Sequence, residues 1–321
     1  MMQPVVTALR RHYGDEATLD LVCLSRCQPA AELLSGLNQV HVVQRGTGEI
    51  VDALRSRKFD YLLDLHRTVR SRSLGRSLNI LTFDVDKQAW QRWLLIRGWR
   101  TQPVTGFIER CFAALTPFSI KVPPANVYGP EAWGKLNVDK DIAPDVRGSI
   151  VVSLGSSQPG KHLSDEIVIG VIEEARTFKT KVFLVGGNDE KGRAEHFAAE
   201  YSHVYSYAGI WNLSQTAGAI SQAHAIVTGD SVTMHIGAAT GCPLAAIWGC
   251  TRPSLGLDAW RAHPASINLL PNMEAPYRPC SKHGSSCRKT SSSDPFDGQR
   301  CSQMVRPENL RQWLRDCLNH T

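Results

Sequence analysis

The sequence predicts an α/β protein built from two doubly wound parallel-sheet domains. Short apolar runs of strand length alternate with helix-length segments along most of the chain, the pattern of βαβ units. One stretch, residues 225–251, holds a whole strand–turn–helix–strand unit, AIVTGDSVTMHIGAATGCPLAAIWGCT. A break between residues 117 and 148 carries Pro117, Pro123, Pro124, Pro130 and Pro144 with Gly129 and Gly134, the composition of an interdomain connection. The predicted domains run over 1–125 and 149–304, joined by a linker over 126–148 and closed by a helix over 305–321.

The first elements follow in order. Met1 to Arg11 reads as a helix with Val5, Val6 and Leu9 on one face and Gly14 as its stop. Leu19–Leu24, Val40–Val43, Tyr61–Leu65 and Ile80–Phe83 read as strands, separated by helices over Ala30–Leu37, Glu49–Lys58 and Arg67–Ser77. A doubly wound domain normally opens with its central strand. Here a helix comes first, so the neighbours of that strand are expected to hold unpaired backbone groups, at about 1–3 kcal/mol for each buried one.

In the second domain, Ser149–Leu154 is a strand and a helix starts near Ser164. Val182–Val185 is a strand and Leu213–Ala223 a helix. Ala225–Val227 is a strand, Met234–Thr240 is helix-compatible, and Leu244–Trp248 is a strand after Pro243. Pro307, with Leu310, Trp313, Leu314 and Leu318 on one face, starts an amphipathic closing helix.

Composition excludes several classes. The 321 residues are 42% apolar, and no apolar run approaches the roughly 18 residues that span a bilayer. Residues 1–20 are too polar for a signal peptide, and nine cysteines, an odd number, do not form a secreted disulfide framework. The expected location is the cytoplasm, with peripheral contact at the inner face of the membrane. The net charge of +6 is concentrated in residues 55–100, which hold eleven Lys/Arg against four Asp/Glu. Such a patch suits an anionic partner, or is a solvated helix face. No nucleic-acid-binding motif accompanies it.

The candidate site residues sit at strand ends. Asp230 is placed to hold a ribose hydroxyl. The backbone N–H groups of Ser231, Val232 and Thr233 are placed to meet a phosphate at a helix start, with His235 one turn on. The competing account is that Asp230 and Ser231 only cap the helix. Gly155–Lys161 is a Gly-containing turn whose Ser156, Ser157 and Lys161 can bind a diphosphate. It is not a Walker A loop, because His162 stands where Ser or Thr is required. After the third predicted strand, His66, Arg67, Arg70 and Arg72 can grip phosphates, or form a solvated helix start. Trp90, Arg92, Trp93, Arg97, Trp99 and Arg100 read first as an ordinary core-facing helix, and alternatively as an interfacial or base-stacking cluster. Cys280, His283, Cys287 and Cys301 are weighed as a structural zinc site, although their spacing fits no standard signature.

In combination, the D-S-x-x-M-H run, the Ala/Gly-rich turn, the G-C-P, the apolar strand and the W-G-x-T-x-P segment resemble the donor-binding core of glycosyltransferase family 9, which contains the lipopolysaccharide heptosyltransferases. The resemblance implies the GT-B fold, two Rossmann-like domains with a cleft between them. It implies an inverting, metal-independent transferase moving a heptose from ADP-heptose to a lipopolysaccharide-core or related glycolipid acceptor. Ser156, Ser157, Lys161, Asp230, Ser231, Val232, Thr233 and His235 then bind the donor, and the segment containing His66, Arg67, Arg70 and Arg72 faces the acceptor. The family's acidic residue after the first glycine pair would contact the nucleoside, and Asn188 stands nearest. Val232 replaces a usual glycine. The closing helix is implied to pack back toward the first domain. The family's opening strand and Gly-Asp turn, which carries the aspartate proposed as base, would lie upstream of Met1, and no residue here matches that aspartate. Two alternatives remain open: a catalytically silent sugar-nucleotide-binding protein, and a GT-B nucleotide-sugar epimerase.

Overall fold

The computed structural model describes residues 1–142, 144–156, 158–271, 278–285, 302 and 305–319. The chain divides into two compact units. Unit 1 comprises 1–88, 105–127 and 131–137, and unit 2 comprises 89–104, 128–130 and 138–321.

Unit 1 opens with helix α1 (Gln3–Tyr13), which starts on Pro4 and ends at Gly14, whose φ of 72° lets the chain leave the helix. Strand β1 (Asp20–Leu24), helix α2 (Gln28–Glu32) and strand β2 (Gln39–Val43) follow, then α3 (Val51–Ser56), β3 (Tyr61–Asp64), α4 (Val69–Leu78) and β4 (Leu81–Asp84). Asp20 anchors this half: its carboxylate meets His41 Nε2 and Arg57 Nε, each at 2.7 Å.

The strands form two separate parallel pairs, β1–β2 and β3–β4. Among the described residues, β1 and β3 therefore each keep one edge without a strand partner. Their burial records the same thing. All five residues of β1 are only half-buried, and β3 runs from exposed Tyr61 through half-buried Leu62 and Leu63 to buried Asp64. A parallel sheet is ordinarily covered on both faces.

The chain continues through α5 (Ala89–Arg97), which belongs to unit 2, and α6 (Phe107–Ala113) and the short α7 (Gly129–Trp133). The sequence reading of α5 as a core-facing helix is corrected here. Only Leu95 is buried, and Trp90 and Trp99 are 64% and 71% exposed. Its apolar residues, Trp90, Trp93, Leu94, Leu95 and Ile96, run around the helix, so no single face could bury them all.

The rest of unit 2 is β5 (Ile150–Ser153), α8 (Asp165–Thr177), β6 (Val182–Val185), α9 (Lys191–Glu200), β7 (Val204–Ser206), α10 (Leu213–Gln222), β8 (Ala225–Gly229), α11 (Val232–Thr240), β9 (Leu244–Ile247), β10 (Ile267–Leu269) and α12 (Pro307–Asn319). The strands make one six-stranded parallel sheet in the order β10-β9-β8-β5-β6-β7. Every residue of β5, β6, β8 and β9 is buried, which explains their unbroken apolar runs. The chain winds from β5 to β7 on one side, then crosses to β8 and winds the other way. The reversal falls between β5 and β8, the place where such sheets bind ligands.

The closing helix α12 packs on α8 within unit 2. Its Leu310, Trp313 and Leu314 enter the core that also holds Ile167, Val168 and Val171. Trp313 Nε1 donates to the Ala265 carbonyl at 2.6 Å, and Arg315 forks onto Glu174 at 2.7 and 3.0 Å. The apolar stripe of α12 is thereby fully used.

Candidate active site

The site grows from two neighbouring strands. In β5 and β8, Ser153 and Thr228 are register partners at the carboxyl end of the sheet. Their hydroxyls meet in a buried network. Thr228 Oγ1 lies 2.7 Å from Thr233 Oγ1 and 3.0 Å from Ser231 Oγ, which is 2.6 Å from Thr233 Oγ1. Thr233 donates to Ser153 Oγ at 2.9 Å. Four hydroxyls satisfying one another stitch the start of α11 to the end of the sheet, so the helix terminus is held in place.

The Asp230 and Ser231 side chains are engaged elsewhere than in capping α11. Ser231 is the N-cap residue of α11, but its side chain accepts nothing from the helix backbone. The Asp230 carboxylate instead receives Thr251 Oγ1 at 2.8 Å and Lys161 Nζ at 2.7 Å. Neither side chain caps the helix, so the first N–H groups of α11 keep their donors and the positive dipole end for another acceptor. Val232 takes the first helical position and is 46% exposed. Its φ is not among the positive ones, so the backbone here needs no glycine.

Lys161 arrives from the loop after β5. That loop approaches β8 so closely that a Cβ on Gly229 would lie 2.5 Å from the Lys161 carbonyl oxygen. Gly160 is pinned on both sides, its N–H donating to the Gly284 carbonyl at 3.2 Å and its carbonyl accepting from Cys250 N at 3.4 Å. The Lys161 and Asp230 side chains are 14% and 8% exposed, a nearly buried ion pair at the sheet's switch point. Ser156 lies half-buried in the same loop: its hydroxyl accepts from Gln158 N at 3.3 Å, and its carbonyl accepts from His162 Nε2 at 2.8 Å. Ser157 lies outside the described residues. His235 is half-buried, its Nδ1 has no hydrogen-bond partner, and burial pushes it down to about 3, with the Lys161 charge acting the same way.

Three participants escaped the sequence reading. Thr251 stands in the W-G-x-T-x-P segment, where nothing in the sequence marks it as a partner of Asp230. Thr228 and Ser153 looked like strand residues, and only the register between β5 and β8 brings them together. The carboxylate near Asn188 is that of Glu190. Its carboxylate folds back to accept from Gly187 N at 2.8 Å and hangs over the β5 loop, where a Cβ on Gly155 would lie 2.6 Å from its carboxyl carbon. The signal was present as a Gly-x-x-Glu spacing, a capping arrangement that reaches back three residues.

In unit 1, Asp64 Oδ1 accepts from the backbone N–H groups of His66 and Arg67 at 3.1 and 2.6 Å, folding the chain at the end of β3. Arg67 adopts a left-handed φ of 46° and turns its guanidinium inward, to the Val85 carbonyl at 3.4 Å and to Asp84 and Asp86 at 3.6 and 3.7 Å. These contacts tie it to the end of β4. Thr68 caps α4, accepting from Ser71 N at 3.3 Å. That leaves His66, Arg70 and Arg72 exposed around the helix start, with the His66 imidazole pushed down by burial and then by Lys87. No group of three His, Cys, Asp or Glu comes together among the described residues. Cys287 and Cys301 lie outside them.

Two α/β units, the second carrying its polar constellation at the switch point of a parallel sheet, define a GT-B protein. The comparisons narrow the class. The model of glycosyltransferase family 9 (heptosyltransferase) matches residues 48–289, and the chain belongs to that family. Among solved structures, a glycosyltransferase family 9 protein from Veillonella parvula matches with a TM-score of 0.72 and 15% identity, over 100% of this chain and 93% of its own. E. coli ADP-heptose LPS heptosyltransferase II matches with a TM-score of 0.67 and 18% identity, over 99% and 94%. E. coli heptosyltransferase WaaC with ADP matches with a TM-score of 0.67 and 15% identity, over 98% and 95%. No curated protein matches the sequence.

Proposed function

We propose that this family 9 glycosyltransferase takes ADP-heptose as donor and transfers the heptose to a lipopolysaccharide-core or related glycolipid acceptor, in peripheral contact with a membrane and without a metal. The observation that carries the donor half is the Lys161–Asp230 pair beside the uncapped start of α11. A diphosphate there meets an ammonium, helix-start N–H groups and the Ser156 hydroxyl, with Ser157 in the same loop. Ser231, Thr233 and the half-buried His235, kept neutral, line the same helix start. In this reading Asp230 takes a ribose hydroxyl, and the Glu190 carboxylate beside the same loop supplies a second acceptor. That E. coli heptosyltransferase WaaC has been solved with ADP and with ADP-2-deoxy-2-fluoro heptose supports this donor.

The chemistry is a direct displacement. An acceptor hydroxyl loses its proton to a base and attacks the anomeric carbon, and the bond to the diphosphate oxygen breaks. Negative charge grows on that oxygen, where Lys161 and the N–H groups of Ser231, Val232 and Thr233 stabilise it most. Exposed His66, Arg70 and Arg72 suit an anionic acceptor. None of these side chains is assigned as the base.

A second reading is a sugar-nucleotide-binding protein without turnover, favoured by the contrast between a completed donor constellation in unit 2 and an open sheet in unit 1. Titration with ADP tests the shared donor half. Lys161→Ala should weaken ADP about ten- to a hundredfold, the value of a charge-assisted contact. A change under threefold means the phosphates do not lie at Lys161. Incubation with ADP-heptose and a lipid A-core acceptor then separates the readings: ADP released only with acceptor present is transfer, whereas tight binding without release is the silent protein.

A further inference from the structure

The most conspicuous surface of unit 2 outside the donor constellation is α5 and the turn that follows it. Trp90 and Trp93 stack with centroids 4.8 Å apart, and Trp99 meets Trp93 edge-on at 5.1 Å. Arg97 lies over the Trp93 ring at 5.5 Å. The outer two indoles are 64% and 71% exposed, a large apolar area to leave in water.

This exposure is built into the fold. Gly98, at φ 80°, ends α5 and turns the chain back, so that Trp99 N donates to the Leu94 carbonyl at 2.9 Å. Arg278 Nη1 donates to the Arg97 carbonyl at 2.7 Å, and Val104 N donates to the Ser254 carbonyl at 3.0 Å. The end of α5 and the end of the turn after it are thus tied to the rest of unit 2.

Charge supplies the second observation. Residues 88–103 contain Arg92, Arg97 and Arg100 and no carboxylate. Exposed indoles on a segment whose charged residues are all basic match the boundary layer of an anionic bilayer, where the ring sits at the headgroups and the cations meet lipid phosphates.

We propose that α5 and the Trp99 turn are a membrane-docking face, inserting Trp90 and Trp99 into the headgroup layer of an anionic lipid surface while the basic side chains of the segment, Arg97 foremost, contact its phosphates. The proposal rests on the reading of a membrane-borne acceptor, and supplies the residues that bring the protein to it.

Flotation of the whole protein with vesicles tests this, using phosphatidylcholine alone and phosphatidylcholine with 30% phosphatidylglycerol, neither carrying a sugar acceptor. The protein should float with the anionic vesicles and much less with the neutral ones. Trp90→Ala/Trp99→Ala, whose fold is checked by thermal melting and retained ADP binding, should lower partitioning at least about tenfold. The milder Arg97→Gln should lower it about fivefold, the value of one basic residue near such a surface. Failure to float with either vesicle, or flotation unchanged in the double variant, overturns the proposal. So does a Trp-dependent affinity for a single-stranded oligonucleotide without vesicle binding. ADP binding is measured separately, so a protein that binds ADP but does not float sinks the docking face and leaves the donor reading standing, and the reverse result does the opposite.

Discussion

His235 shows how far burial governs a single residue of the site. Its Nδ1 is enclosed without a hydrogen-bond partner, and burial, assisted by the Lys161 charge, pushes it down to about 3. The unfolded chain returns it to an ordinary histidine near 6.5. Between those values the unfolded state binds a proton that the folded state refuses, so stability falls as pH drops from about 6.5 toward 3 and is unaffected by this residue above 6.5. His235→Gln should remove part of that acid sensitivity: the urea midpoint should fall less between pH 7.5 and pH 5 in the variant than in the parent. Equal falls would mean that the folded protein accepts the proton at His235. The same neutrality assigns the positive charge beside α11 to Lys161 alone among these two residues. That is why the Lys161–Asp230 pair, rather than the histidine, carries the donor proposal.

At the scale of elements, the strands of unit 2 were legible because a strand buried on both faces reads as a continuous apolar run. Ile150–Ser153, Val182–Val185 and Leu244–Ile247 fall within a residue of their sequence boundaries. The short edge strands β7 and β10, three residues each, carry too little pattern to be seen. The predicted helix over Ala30–Leu37 shrank to Gln28–Glu32, because Leu33 and Leu34 turn off the helix to meet Asn137 and Leu136. At the site, Asp230, Ser231 and Lys161 were legible as residue types at strand ends. The Glu190 fold-back, the Thr251 contact and the Ser153–Thr228 pairing depend on register and loop closure, which local pattern does not encode. One glycine joins the two levels. At Gly229 the end of β8 and the Lys161 loop touch backbone to backbone, and an added methyl has 2.5 Å where ordinary contact needs well over 3 Å. Gly229→Ala should therefore push the loop outward, lowering stability by about 1–3 kcal/mol and weakening ADP binding with it. A variant with parental melting and parental ADP affinity would show that the loop yields without moving Lys161.

Across the whole molecule, the two units differ in how completely their sheets are finished. Unit 2 has six strands in one parallel sheet, with four of them buried at every residue and α12 locked over α8 by Trp313 and the Arg315–Glu174 fork. Unit 1 has two pairs of strands, and β1 has no fully buried residue. Opening a strand pair with one unpartnered edge breaks few contacts, whereas opening β5 or β8 breaks a ladder on each side and exposes the core. Local stability should therefore follow the sheets rather than chain position. In hydrogen exchange read by mass spectrometry, peptides covering β1 to β4 should exchange at least about a thousandfold faster than peptides covering β5, β6 and β8, a gap of roughly 4 kcal/mol in opening free energy. ADP should slow the Gly155–Lys161 loop and the start of α11 and leave β1 to β4 unchanged, because its proposed contacts all belong to unit 2. Equal protection of the two sets of strands would mean that the paired edges of unit 1 are as well held as the completed sheet, and that the half-buried burial pattern of β1 and β3 carries no energetic weight.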